Sequence, residues 1–97
     1  MISTHVLDTE QGIPAAGVKV ALYRGKELVS LQETDDDGRI ADLADGDLLP
    51  GHYRLVFYVG GGFFERLELT IAIPDPAAHY HVPLLVSPYA CVTYRGS

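Results

Sequence analysis

An all-β sandwich of two sheets is what this chain encodes, with about seven to eight strands and little or no helix. Apolar and polar residues alternate with a period of two along most of the chain, as in Gly17–Tyr23 and Gly51–Val59. Glycine and proline, 10 and 6 of them, punctuate these runs at short intervals. No stretch carries the 3.6-residue apolar period of a useful helix.

The elements follow in order. Ile2–Asp8 reads as the first strand, with Ile2, Thr4 and Val6 on one face and Ser3, His5 and Leu7 on the other. Thr9–Gly17 is a turn-rich link. Gly17–Tyr23 directs Val18, Val20 and Leu22 to a core. Glu27–Thr34 follows the Gly25 turn, and Asp35-Asp36-Asp37-Gly38 is a tight turn before a short strand, Arg39–Asp42. Gly51–Val59 turns Tyr53, Leu55 and Phe57 inward. Gly60-Gly61-Gly62 predicts a tight reversal, because glycine takes positive φ without a Cβ clash, so Tyr58–Arg66 reads as a direct hairpin. Phe64–Ile73 then points Leu67, Leu69, Ile71 and Ile73 inward. Asp75-Pro76 forms a turn, and the strands His79–Val86 and Tyr89–Tyr94 are split by Ser87-Pro88.

With 97 residues, the chain is a single domain spanning 1–97. Its net charge of −6, with no cluster of lysine or arginine, argues against nucleic-acid and anionic-membrane partners. No run approaches the length of a membrane-spanning helix. Met1-Ile2-Ser3-Thr4-His5 has neither a basic head nor a long apolar run, so no secretion signal is expected. The single cysteine, Cys91, forms no intramolecular disulfide and suits a reducing compartment, so a cytoplasmic location is expected, with a periplasmic one left open for a trimmed precursor.

The residues that can carry chemistry are His5, Arg39, His81 and the segment Tyr94-Arg95-Gly96-Ser97. A histidine titrates near neutrality and can take a proton from water. An arginine keeps its charge and offers paired donors to an imide or an oxyanion. Taken singly, each has a structural reading: a lone strand histidine is usually structural, and Arg39 or Arg95 alone would be a surface ion-pair partner. His52 and His79 read as surface residues. His79 and His81, two apart, share a strand face and are the best zinc alternative. The acidic run around Asp35–Gly38 echoes a calcium loop but has Ala44 where the bidentate acid belongs. Gly60-Gly61-Gly62 lacks the Lys-Ser/Thr of a phosphate loop. Cys91 reads as a buried, inert thiol rather than a nucleophile.

Ser3-Thr4-His5-Val6-Leu7-Asp8, His79-Tyr80-His81-Val82-Pro83-Leu84-Leu85, Ser87-Pro88-Tyr89 and Tyr94-Arg95-Gly96-Ser97 together resemble the 5-hydroxyisourate hydrolases, the transthyretin-related enzymes of urate breakdown. The resemblance spans nearly the whole chain and implies a transthyretin-like sandwich. It also implies hydrolysis of 5-hydroxyisourate to 5-hydroxy-2-oxo-4-ureido-2,5-dihydro-1H-imidazole-5-carboxylate, without metal or other cofactor. By the same resemblance His5, Arg39, His81 and Ser97 are catalytic, and Tyr94, Arg95 and Gly96 bind substrate. The assembly it implies is a homotetramer, a dimer of dimers joined through edge strands, with sites in the channels between dimers. The alternatives are a transthyretin-like carrier of a small aromatic ligand in such a channel, or a structural sandwich module. Two departures stand out: the segment at Gly60–Gly62 is shorter than most members have, and Val92 replaces a small polar residue near the tail.

Overall fold

A computed structural model describes all residues, 1–97, and contains strands only, nine of them. They are β1 (Ile2–Asp8), β2 (Ile13–Pro14), β3 (Lys19–Arg24), β4 (Glu27–Glu33), β5 (Arg39–Ile40), β6 (Gly51–Tyr58), β7 (Leu67–Ile73), β8 (Tyr80–Ser87) and β9 (Ala90–Thr93). One sheet runs β2-β1-β8-β9, with β5 also paired to β1; the other runs β4-β3-β6-β7. β1 and β8 pair in parallel, with Ile2 opposite Tyr80, Ser3 opposite His81 and Val6 opposite Leu84. All other pairings are antiparallel.

Alternation decides which residues meet between the sheets. Ile2, Val6, Tyr80, Val82 and Leu84 face Val20, Leu22, Tyr53, Leu55, Phe57 and Ile73, with Ile40 and Leu43 closing one end. Burying each large side chain contributes about 1.5–3 kcal/mol. The inward-facing hydroxyls find partners in the backbone. Tyr53 donates to Leu49 O (2.9 Å) and Tyr80 to Asp75 O (3.0 Å), each tying down the loop before its strand. Thr4 donates to Val82 O at 2.6 Å inside the core. Leu67, Leu69 and Ile71 are only half-buried, because β7 is an edge strand.

Three elements differ from expectation. β6 and β7 do form a hairpin without a helix, with Phe57 opposite Leu67, but Val59–Arg66 is a wide loop and β7 begins at Leu67, not Phe64. The loop is drawn across the end of the sandwich onto the β8–β9 turn. Phe63 N donates to Pro88 O (2.7 Å), and a Cβ at Gly62 would stand 2.6 Å from that same oxygen. The strand expected at Arg39–Asp42 stops at Ile40, because the Asp42 carboxylate accepts from Ile2 N (3.2 Å) and Ala44 N (3.0 Å) and turns the chain. The link Thr9–Gly17 contains the short β2, folded back onto Leu7 and Asp8 after Asp8 O receives Gly12 N (2.8 Å).

Gly38 connects the fold to the site. It is buried at φ +75°, its carbonyl accepts from Val6 N (2.7 Å), and an added Cβ would lie 2.4 Å from Val6 O. Only glycine lets the Asp35–Gly38 turn press this closely on β1. Gly38→Ala is expected to lower the free energy of unfolding by about 1–3 kcal/mol from the left-handed backbone alone, with the close approach adding to it. Urea denaturation of both proteins measures the change.

Candidate active site

The outer face of the β1–β8 sheet carries the candidate groups. Ser3 and His5 project from β1, His81 and Pro83 lie across the pairing on β8, and His79 stands just before β8 begins. The Asp35 turn sets Arg39 opposite His5: Asp35 O receives Gly38 N (2.9 Å) and the Asp35 carboxylate receives Asp37 N and Arg39 N (both 2.9 Å). The structure thus brings His5, Arg39 and His81 to one face.

The histidine predicted to be a bystander belongs here too. His79 reads from the sequence as a surface residue; it is exposed, but Ser3 Oγ lies 2.7 Å from His79 Nε2 and 2.8 Å from His81 Nδ1. The two rings stand 6.5 Å apart between centroids, joined through that one hydroxyl. Sequence reasoning placed Ser3 on the same face as His5, but nothing in the spacing showed that β1 and β8 are neighbours. His81 Nε2 makes no hydrogen bond within the protein, and the residue is only partly buried.

Burial, the Arg39 guanidinium and the neighbouring His79 and His5 together hold the His81 imidazole below the ordinary value of 6.5, against a smaller opposing hydrogen bond to the Ser3 backbone. A cation here would meet other basic groups, so the neutral ring is favoured. Arg39 is exposed and unpaired; the ion pairs in the molecule are Arg54–Glu68 and Arg66–Glu68, on the other sheet.

The tail returns to this face through one residue. Leu84 faces Thr93 and His81 faces Gly96, so the β8–β9 register is the same on both sides of a gap in the ladder. The ladder opens between, at Tyr94 and Arg95, where Pro83 has no N–H to give and its carbonyl takes the Thr93 hydroxyl instead (2.8 Å). Gly96 N then donates to His81 O (2.8 Å). A Cβ at Gly96 would lie 2.5 Å from His81 Cδ2, so the glycine is what lets the tail lie against the ring.

The rest of the tail does not join the histidines. Arg95 stacks on Tyr80, 4.7 Å from its ring centroid. Tyr94 and Arg95 line a cavity of about 260 Å³ between β7 and β9, with Leu69, Ile71, Tyr80 and Val82, on the inner side of the sheet. Ser97 is exposed and makes no hydrogen bond. None of the four main cavities includes His5, Arg39 or His81, so one chain presents the site as an open surface. His52 lies apart, exposed on β6. Cys91 is half-buried, and burial pushes its thiol pKa up, away from the reactive thiolate.

A model of the HIUase/Transthyretin family matches residues 2–96. The chain is 41% identical to 5-hydroxyisourate hydrolase 2 of Rhizobium meliloti, over 99% of this chain and 95% of that protein. The aligned stretch runs to 118 residues, more than this chain has, so that relative carries additional residues within the matched span. Among solved structures, 5-hydroxyisourate hydrolase of Klebsiella pneumoniae superposes with a TM-score of 0.90 at 36% identity, covering 99% of this chain and 92% of that one. Sea bream transthyretin, solved with thyroxine, gives 0.87 at 23% identity over 98% and 93% of the two chains, a likeness of fold alone.

A pH titration of His81 by NMR should show its midpoint below the ordinary histidine value. Arg39→Ala should move that midpoint upward, since a cation that disfavours the imidazolium has been removed.

Proposed function

The chain belongs to the HIUase/Transthyretin family, and we propose that it is a hydrolase of that family, opening the ring of 5-hydroxyisourate. The observation that carries this reading is the meeting of His5, His81 and an unpaired Arg39 on one exposed face, in a chain otherwise rich in acid. The names of the relatives and of the Klebsiella structure support it. A carrier of an apolar aromatic ligand has no need of this cluster of basic groups.

Ring opening requires water at a ring carbonyl, loss of a proton from that water, and shelter for the oxyanion that forms. His81 is the base in this reading. Its neutral form persists to lower pH than an ordinary histidine's, and its Nε2 is unengaged. Arg39 holds the carbonyl oxygen and the developing oxyanion with its paired donors. His5, beside Arg39, orients the substrate, and His81 returns the proton to the departing ring nitrogen when the C–N bond breaks. Gly96 fixes the His81 ring from the tail side. Ser97, Tyr94 and Arg95 would join the site through assembly.

Self-association is part of the proposal. β7 and β9 are both edge strands and flank the same opening of the sandwich, where the apolar cavity lies. Val92 and Tyr94 are 53% and 54% exposed there. Pairing such edges with a second copy satisfies their backbone groups. A dimer of dimers, a homotetramer, would then set two of the outer faces against each other and turn the open site into a channel. The cytoplasm is the proposed compartment, which the lone thiol suits.

Freshly generated 5-hydroxyisourate, followed by its ultraviolet absorbance, is the substrate for the test. His81→Ala should reduce turnover about a hundredfold or more while leaving the unfolding midpoint nearly unchanged. Arg39→Lys should also fail, since a point charge does not replace a bidentate fork. The ratio kcat/KM should fall with acid at a lower pH than an ordinary histidine would set, because the base must be neutral and His81 holds its proton less tightly than usual. Wild-type turnover by the folded His5→Ala/His81→Ala double variant would end the hydrolase reading. In sedimentation at micromolar concentration the wild type should run as a tetramer; a monomer would remove the channel.

A further inference from the structure

His81 meets Ser3 through Nδ1, and Ser3 meets His79 through its Nε2, so three side chains form one line from the open site to solvent. Ser3 itself is 9% exposed, held between the two rings, whereas His79 at the far end is exposed. A serine hydroxyl has one proton to give and can accept another. Between two imidazoles it therefore has two ordered states. In one, His81 Nδ1–H donates to Ser3 and Ser3 donates to His79 Nε2, leaving His81 Nε2 as a bare lone pair. In the other, both protons point the opposite way, and His81 Nε2 carries the hydrogen.

We propose that Ser3 and His79 form a proton relay behind His81, setting its tautomer and carrying the proton it gains out to His79. The proposal rests on the reading of His81 as the base. When His81 Nε2 takes a proton from the attacking water, its Nδ1 proton passes to Ser3 Oγ and the Ser3 hydroxyl proton passes to His79 Nε2. His81 ends neutral, with hydrogen on Nε2. Ser3 is again a hydroxyl, and His79 holds one proton more than before. Protons are conserved: the water O–H bond that breaks is matched by the His81 Nε2–H bond that forms, the hydroxide goes to the ring carbonyl, and the two shifts behind it leave one extra proton on His79. Reversal of the two shifts returns the proton to His81 for delivery to the leaving ring nitrogen.

The surroundings favour this direction. The groups bearing on His81 are His5 from β1, Arg39 from β5 and His79 from the residue before β8; Arg39 is a fixed cation and the others are basic. A charge left on His81 would sit partly buried beside Arg39. Moved to His79, it reaches water, where it is hydrated and screened. Ser3 and His79 are positioning residues: neither touches the reacting atoms, and each acts through His81. The hydrogen bond made at one ring nitrogen decides what the other can do.

The test uses the full chain and five proteins: wild type, Ser3→Ala, Ser3→Thr, His79→Gln and His81→Ala. Nitrogen-15 NMR without substrate reads the His81 tautomer, and kcat, KM and the proton inventory in mixed light and heavy water are measured beside it. The relay predicts hydrogen on Nδ1 of His81 in the wild type and an inventory needing more than one proton in flight. Ser3→Ala should lose the tautomer preference and lower kcat about tenfold with KM nearly unchanged, and Ser3→Thr should restore both. His79→Gln, which can accept a hydrogen bond but cannot hold the proton, should keep the tautomer and yet lose the multi-proton inventory. Wild-type kcat and inventory in His79→Gln overturn the relay, and because His79 is exposed this arm stands even if Ser3→Ala does not fold. A wild-type tautomer and kcat in folded Ser3→Ala overturn the positioning role. Full turnover by His81→Ala would instead remove the base reading, while the substrate-free tautomer would still decide what Ser3 does.

Discussion

Parallel pairing of β1 with β8 is the constraint on which the site depends. The two strands are separated by nearly the whole chain, yet Ser3 lies opposite His81 and His5 opposite Pro83. A shift of one residue would turn the histidines into the core and Tyr80 and Val82 out to solvent. The core forbids that slip. Ile2, Val6, Val82 and Leu84 are all nearly inaccessible, and inverting either strand would expose them. The apolar face therefore fixes the register, and the register places the polar face. No separate interaction is needed to bring His5 and His81 together.

Two local devices refine what the register supplies. Gly38 allows a turn to touch the β1 backbone, so Arg39 arrives across from His5. Pro83 interrupts the β8–β9 ladder just where the tail would otherwise continue as an ordinary strand, and Gly96 lets the chain come back onto the His81 ring. Both are cases in which the absence of an atom does the positioning: a Cβ at Gly38 or Gly96, an N–H at Pro83. The motif residues flanking the histidines thus have structural duties that make the chemistry possible.

The electrostatics of the face are at odds with the molecule as a whole. The chain has 13 acidic and 7 basic residues, but no acidic side chain pairs with Arg39. An unpaired guanidinium beside imidazoles keeps His81 neutral and leaves its own donors free for a substrate oxygen. A carboxylate neighbour would have raised the pKa of His81 and occupied Arg39. The same exposed surface is open in one chain, and its enclosure depends on the edge strands β7 and β9 finding a partner.

The sequence by itself determined the sandwich, because period-two alternation states which residues face inward and glycine and proline state where strands stop. It also marked His5, Arg39 and His81, since the motifs around them are local and legible. What it did not contain was adjacency. That His79 belongs to the site, that Ser3 stands between two rings, and that Arg95 turns to Tyr80 while Gly96 turns to His81 all follow from which strands pair and at what register. The width of the Val59–Arg66 loop is of the same kind: three glycines permit a tight turn, but contact with Pro88 on the opposite sheet sets the path. Local pattern speaks of each strand alone, whereas long-range pairing is settled only when the whole core closes.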